Sequence, residues 1–268
     1  MEKKTIFIIL FILVSFVYPA NTIEVIAPME TTVSEGDMLY LGTIGPGQTI
    51  YVDFDPKVDG GRAWWDFAKV TGLPEGWNAR ESKLYEDPLH VRITTSKHAQ
   101  EGDYTFKITI EDEGDVSELG TITITCKVTI KHDIMDMEVT PTKKSVGAGQ
   151  PARFDITIKN LGNTEDEFVV RSEGIKEWAF RKNVYIPAQS EKTIVYEIVR
   201  YEEENSEVKI IAESYNSPEI IKEETTVFVE FKPDLISDMK ATNNGLILFP
   251  IINTPMHALL GLFSNLFQ

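Results

Sequence analysis

From residue 21 to residue 232 apolar and polar side chains alternate with a period of two. The clearest runs are TIYVDFD (49–55), LHVRITT (89–95), YTFKITIE (104–111), ARFDITIKN (152–160), KTIVYEIV (192–199) and EVKIIAES (207–214). Successive side chains of a strand point to opposite faces, so each run buries one face and wets the other. Turn-forming clusters, GPGQ, EDEGD, GAGQ, NLGN and NSPE, separate the runs at the spacing of a β-sandwich. No long helical period occurs before residue 255. The pattern predicts an all-β protein built of sandwiches.

The pattern also repeats, at a lag of about a hundred residues. Gly45-Pro46-Gly47-Gln48 before one strand matches Gly147-Ala148-Gly149-Gln150 before another. GLPEGW, ending at Trp77, matches EGIKEW, ending at Trp178, and both tryptophans are expected in the core. GTITITCKVTI and KEETTVFVEF then form the last strand of each unit. The expected division is a first sandwich over 21–132 and a second over 133–232. Between them KHDIMDMEVTP contains no Pro/Ser-rich linker, which favours a stiff end-to-end pair.

Residues 145–199 resemble the Ig-like domain found appended to alpha-galactosidases and common in archaeal and bacterial surface proteins. The features that carry the resemblance are the Gly-x-Gly-Gln turn, Asn160-x-Gly162-Asn163 followed by Asp166, Trp178, and IPAQSEKT opening a strand. The first unit shares GLPEGWNA and HAQEGDYTFKITI but replaces the Asn-x-Gly turn with PKVDGGRAWWDF. The resemblance implies tandem Ig-like β-sandwiches acting as non-catalytic spacers, stalks, or adhesion and carbohydrate-associated modules.

Charge and cysteine content narrow the setting. With 42 acidic against 26 basic residues and a net charge of −16, nucleic acid is excluded as a partner class. Residues 1–20 read as a signal peptide or an uncleaved anchor: Lys3 and Lys4 precede an apolar run from Thr5 to Tyr18 that is shorter than the ~20 residues of a membrane span. Export then makes the single Cys126 informative, since one cysteine closes no intrachain disulfide. Cys126 shares a strand face with Ile122, Ile124, Val128 and Ile130, the place of a small buried hydrophobe.

Catalytic constellations are missing from the sequence. The four histidines have no metal-ligand spacing, no Gly-x-Ser-x-Gly elbow occurs, and the Gly-x-Gly-Gln turns precede strands, not helices. The expectation is therefore no enzyme, no metal and no cofactor. Acidic clusters at Glu111–Glu113 with Asp115, and at Glu202–Glu204, read as solvated hairpin tips. Trp64 and Trp65, with Tyr85 nearby, form the candidate ligand or partner surface. Adjacent tryptophans in a strand face opposite ways, so one belongs to the core and the other is free to stack on a sugar or a protein.

After Pro233 the alternation stops, and from residue 241 the chain carries no charge. Pro250 and Pro255, with Asn253 and Thr254, argue against a straight membrane span. Residues 233–268 instead read as a two-part, membrane-proximal tail. An extended piece presents Leu246, Leu248 and Phe249; a helix follows, capped by Thr254 with Pro255 in its first turn. Its apolar stripe of Met256, Leu259, Leu260, Phe263, Leu266 and Phe267 suits a membrane interface or a membrane-protein partner. The expectation is an exported protein on the extracellular face of the cell membrane, binding or scaffolding. Its partners would be the membrane or a membrane protein through the tail, together with a cell-surface glycan or protein. The alternatives are an accessory subunit of a membrane complex such as a transporter, or a carbohydrate-binding module.

Overall fold

The computed structural model describes residues 22–58, 60–113, 118–201 and 204–232. The signal segment and the tail, with all nine of its named apolar residues, lie outside the described residues. In the first unit eleven strands follow one another: β1 (Thr22–Ala27), β2 (Thr31–Ser34), β3 (Met38–Ile44), β4 (Thr49–Asp55), β5 (Lys57–Val58), β6 (Ala63–Trp64), β7 (Phe67–Thr71), β8 (Asn78–Arg80), β9 (Leu89–Thr94), β10 (Gly102–Glu111) and β11 (Thr121–Ile130). The second unit contributes β12 (Met135–Thr140), β13 (Lys143–Gly147), β14 (Pro151–Asn160) and β15 (Asp166–Glu173). After a 3-10 turn at Lys176–Trp178 come β16 (Arg181–Ile186), β17 (Glu191–Val199), β18 (Asn205–Ser214) and β19 (Lys222–Lys232).

Both units are Ig-like sandwiches with the same central wiring. Sheet order β1-β4-β9 against β3-β11-β10-β7 in the first is repeated as β12-β14-β17 against β13-β19-β18-β15 in the second. In each, the last strand pairs in parallel with an early strand, β11 with β3 and β19 with β13, while its other neighbour is antiparallel. The alternation seen in the sequence is the cause. In β9 the residues Leu89, Val91 and Ile93 are buried while His90 and Arg92 point outward. In β11 the face Ile122, Ile124, Cys126, Val128 and Ile130 is wholly buried. Burial pushes the Cys126 thiol pKa far up, so it behaves as a hydrophobe.

The two units differ where one strand changes sheets. β8 pairs with β9 in the first unit, whereas its positional equivalent β16 crosses to pair with β15 in the second. The PKVDGGRAWWDF segment adds the small β5-β6 hairpin, and β2 adds an edge to β1. Two separate hydrophobic clusters result, one from Ile23 to Ile130 and one from Ile134 to Phe231.

Trp77 lies in the first core, tilted against Tyr104 and Phe106 at ring-centroid distances of 5.3 and 6.3 Å. Its sequence counterpart corrects the expectation, because Trp178 is 38% exposed. The 3-10 turn carries the Trp178 side chain out of the sandwich, and the space is filled instead by Phe180 packing on Tyr196, 5.1 Å between centroids. Trp178 still serves through its backbone: its carbonyl accepts the Tyr196 hydroxyl at 2.9 Å.

Candidate functional site

A network of hydrogen bonds joins the two units. It starts with the Gly45-Pro46-Gly47-Gln48 turn. Gly47 holds φ at +73°, a region L side chains rarely enter, and Gln48 N–H donates to the Gly45 carbonyl at 3.3 Å. Gly45 N–H in turn donates to Gln48 Oε1 at 2.7 Å, so the glutamine side chain closes its own turn. That leaves Gln48 Nε2 aimed at the second unit, where it donates to Asp166 Oδ2 at 2.9 Å.

Asp166, at the start of β15, is almost completely buried and has no cation beside it among the described residues. Its carboxylate is held by neutral donors: Ser214 Oγ at 2.8 Å, the Glu167 amide at 2.8 Å and Asn216 Nδ2 at 3.4 Å, besides Gln48. Burial raises its pKa, and the hydrogen bonds from Gln48, Ser214, Glu167 and Asn216 pull the other way.

Around this centre the backbones are laced together. Thr43 N–H donates to Asn163 Oδ1 and Asn163 N–H to the Thr43 carbonyl, each at 2.7 Å. Thr164 Oγ1 donates to the Thr49 carbonyl at 2.6 Å, and Ser217 Oγ to the Pro46 carbonyl at 2.8 Å. Asn160 shapes the receiving turn: its Nδ2 donates to the Thr164 and Ile186 carbonyls at 2.8 and 3.1 Å, and its Oδ1 accepts the Gly162 amide at 2.9 Å. Gly45 is packed closely by the second unit: a Cβ there would stand 2.5 Å from Ile134 Cδ1 and 2.6 Å from Ile221 Cδ1, so both side chains would have to shift. The whole Gly45–Gln48 turn is buried.

Sequence reasoning singled out both turn motifs as marks of repetition but not as two halves of one joint. A usable signal was present. The Asn-x-Gly-Asn turn occurs in the unit that receives the Gly-x-Gly-Gln turn of the other.

The aromatic candidates sit at the opposite end of the first unit. The structure corrects Trp65 as a surface residue: it is 1% exposed, and its Nε1 has no acceptor within hydrogen-bond distance among the described residues. Trp64 is 39% exposed, but its Nε1 donates to the Gly61 carbonyl at 3.3 Å and Lys57 Nζ lies 5.4 Å from its ring centroid. The lysine is itself tied to Asp87 at 2.6 Å. Part of the indole is therefore engaged by the protein's own cation. Tyr85 is 67% exposed at φ +58°, with its amide bound to the Asp66 carbonyl at 2.8 Å.

Beneath this end the acidic cluster departs from the solvated reading. Asp112 is buried, accepts the Leu119 amide at 3.2 Å, and faces the equally buried Asp66. Burial raises the Asp66 pKa, with the charge of Asp112 adding to the rise. Asp115, Glu202 and Glu203 lie outside the described residues. Among the described residues no group of three His, Cys, Asp or Glu is arranged to hold a metal ion. No described helix is long and apolar enough to cross a membrane.

No protein-family profile matches the chain, and no curated protein matches it. Among solved structures, a chimeric titin Z1Z2 carrying a decorin peptide is 10% identical, with 81% of this chain and all of that one covered, at a TM-score of 0.37. The CARDB domain of the PF1109 protein from Pyrococcus furiosus, solved with di-metal ions, is 16% identical over 36% of this chain and 90% of its own, at 0.27. The complex of zinc 2-glycoprotein and prolactin inducible protein from human seminal plasma gives 7% identity over 37% of this chain and 95% of the matched chain, at 0.32. None of these likenesses bears on what this chain binds.

Proposed function

We propose that the protein is a non-catalytic, exported scaffold in which two Ig-like sandwiches form a stiff pair, held at the membrane through the apolar tail. The observation that carries this reading is the junction. A flexible linker leaves the ends of two domains wet, whereas here a turn of one unit is buried in the other and its polar groups are paired across the boundary. Removing a carboxylate from water without a counter-ion is costly; Ser214, Glu167 and Asn216 of its own unit offset part of that cost for Asp166, and Gln48 adds the donor that depends on docking. Such a joint fixes one unit at a set angle to the next, which is what a spacer between a membrane and a recognition surface needs.

The tail reading supplies the other half: an uncharged, apolar terminus on a protein of net charge −16 suits attachment through apolar burial, not through charge attraction to anionic lipid.

Two measurements test the halves separately. Stiffness is tested by distance distributions between spin labels placed at the exposed positions Lys107 and Lys192, one on each unit. A single narrow distribution, broadened by Asp166→Ala, is expected. A broad distribution in the unmodified protein refutes the stiff pair. Attachment is tested by carbonate wash and detergent fractionation of the full chain beside a chain ending at Lys232. The full chain should stay with membranes and the shorter one should not; if both are soluble, attachment through the tail is wrong.

A further inference from the structure

Two arginines stand directly opposite each other on the outer face of the first unit. Arg80 of β8 is in register with Arg92 of β9, which on its other side is in register with Tyr51 of β4. The next row along the same face holds Asn78, Thr94 and Thr49, and the hydroxyls of Thr49 and Thr94 lie 2.9 Å apart. These positions point outward, since Val52, Val91 and Ile93 between them are buried. Asn78, Arg80, Arg92 and Thr94 line an open groove of about 380 Å³.

Like charges at directly opposed cross-strand positions destabilise a sheet. The other opposed arginine pair, Arg171 and Arg181, is balanced by Glu173 and Glu213 on Arg171, while several lone basic side chains, such as Lys107 and Lys192, make no ion pair among the described residues. Among the described residues neither Arg80 nor Arg92 makes an ion pair, although the chain offers 42 acidic residues against 26 basic ones. Of the acids on the same face of β4, Asp53 is bonded to His90 Nδ1 at 2.7 Å and Asp55 accepts the Lys57 amide at 3.0 Å. Two cations are thus held side by side, with neutral donors next to them and without a carboxylate partner.

We propose that this groove binds a tetrahedral oxyanion, dianionic as free sulfate, hydrogen phosphate or a phosphate monoester and monoanionic as a sulfate monoester. Each guanidinium offers a fork of N–H donors matched to two oxygens, and two such forks supply two charges against a dianion. The Asn78 amide and the Thr94 hydroxyl add neutral donors in the adjoining row. Thr49 in that row also gives its carbonyl to Thr164 of the second unit at 2.6 Å, so the bound group lies beside the inter-unit junction. A long polyanion is disfavoured by the charge of −16 carried by the chain as a whole.

The test is calorimetric and NMR titration of the full-length chain, kept in a non-ionic detergent at low ionic strength. The probes are inorganic phosphate, inorganic sulfate, glycerol phosphate, glucose 6-sulfate and, as a planar monoanion, glucuronate. Saturable binding of phosphate or sulfate is expected, at least tenfold weaker in Arg80→Gln and in Arg92→Gln, with Arg80→Lys in between. Both glutamine variants should unfold at urea concentrations no lower than the unmodified protein without anion, because the repulsion is relieved. Added phosphate or sulfate should then raise the midpoint of the unmodified protein only. Whichever ester outbinds its free ion identifies the source, and either result supports the site. Absence of saturable binding, equal affinity in the glutamine variants, or glucuronate binding as tightly as phosphate and sulfate overturns the proposal.

Discussion

Replacing Gln48 by alanine isolates what the junction contributes. The substitution deletes the Nε2–Asp166 bond of 2.9 Å and orphans the buried Gly45 amide, which had been donating to Oε1 at 2.7 Å. A hydrogen bond to a charged acceptor is worth about 1.5–3 kcal/mol, and a buried donor left without a partner costs about 1–3 kcal/mol. The single variant should lose about 3–5 kcal/mol, nearer the lower figure if water enters the vacated space. Asp166→Ala disturbs the same bond from the other side, and it also releases Ser214 and Asn216. In a double-mutant cycle by urea unfolding, the pair should couple by about 1.5–3 kcal/mol, because the shared bond is lost only once. Hydrogen exchange gives an independent reading: the Gly45 amide should exchange slowly in the unmodified protein and quickly in Gln48→Ala. Effects that add to within about 0.5 kcal/mol would falsify the claim that these residues act as one latch.

Three further outcomes follow from the geometry. Gly36 and Gly42 both adopt left-handed backbone, φ +80° and +86°, but a Cβ at Gly36 meets open space whereas one at Gly42 would lie 2.5 Å from Asn163 Cγ. Gly36→Ala should cost about 1–2 kcal/mol and Gly42→Ala about 1–3 kcal/mol more, with urea midpoints as the measure; equal costs would show that the Asn163 contact contributes nothing. Trp65→Ala should destabilise by about 3–5 kcal/mol by opening a core cavity, while Trp64→Ala should cost less than about 1.5 kcal/mol, and a reversed order in chemical denaturation contradicts the burial assigned here. Asp66 has its folded pKa raised, first by burial and then by Asp112, so the folded state holds a proton that the unfolded chain releases near the ordinary carboxylate value. The stabilisation this gives is fully present below that value and is lost as pH rises through the folded pKa. Asp66→Asn should therefore gain on the unmodified protein as pH rises from below the ordinary carboxylate value, and an unchanging gap in urea midpoint over that rise argues against a raised Asp66 pKa.

Strand content was legible in the alternation itself, because the period of two is a local consequence of strand geometry and needs no long-range information. The same holds for the Cys126 face and for the second glycine of each Gly-x-Gly-Gln turn, Gly47 and Gly149, whose left-handed backbone is a demand that lies within four residues. The Trp64-Trp65 pair divided into one buried and one half-exposed ring as opposite-facing neighbours do, but the sequence carries no mark of which ring turns inward. Trp178 misled for a related reason: it matched Trp77 by position in the repeat, yet a 3-10 turn at Lys176–Trp178 rotates it outward and Phe180 takes the core. Asp112 looked like one more wet acid in EDEGD, and only the fold brings it beneath Asp66.

By itself, then, the sequence determined the all-β class, the doubled unit and the uncharged terminus, all of which depend on spacing along the chain. The tertiary structure decided the pairings that depend on strand register and on sheet assignment. β8 stays with β9 while β16 leaves β17, so Arg80 meets Arg92 beside Asn78 and Thr94 in one unit, whereas in the other β16 sets Arg181 opposite an Arg171 that is paired with Glu173 and Glu213. Gln48 reaches Asp166 across 118 positions, a contact made only where one sandwich meets the other.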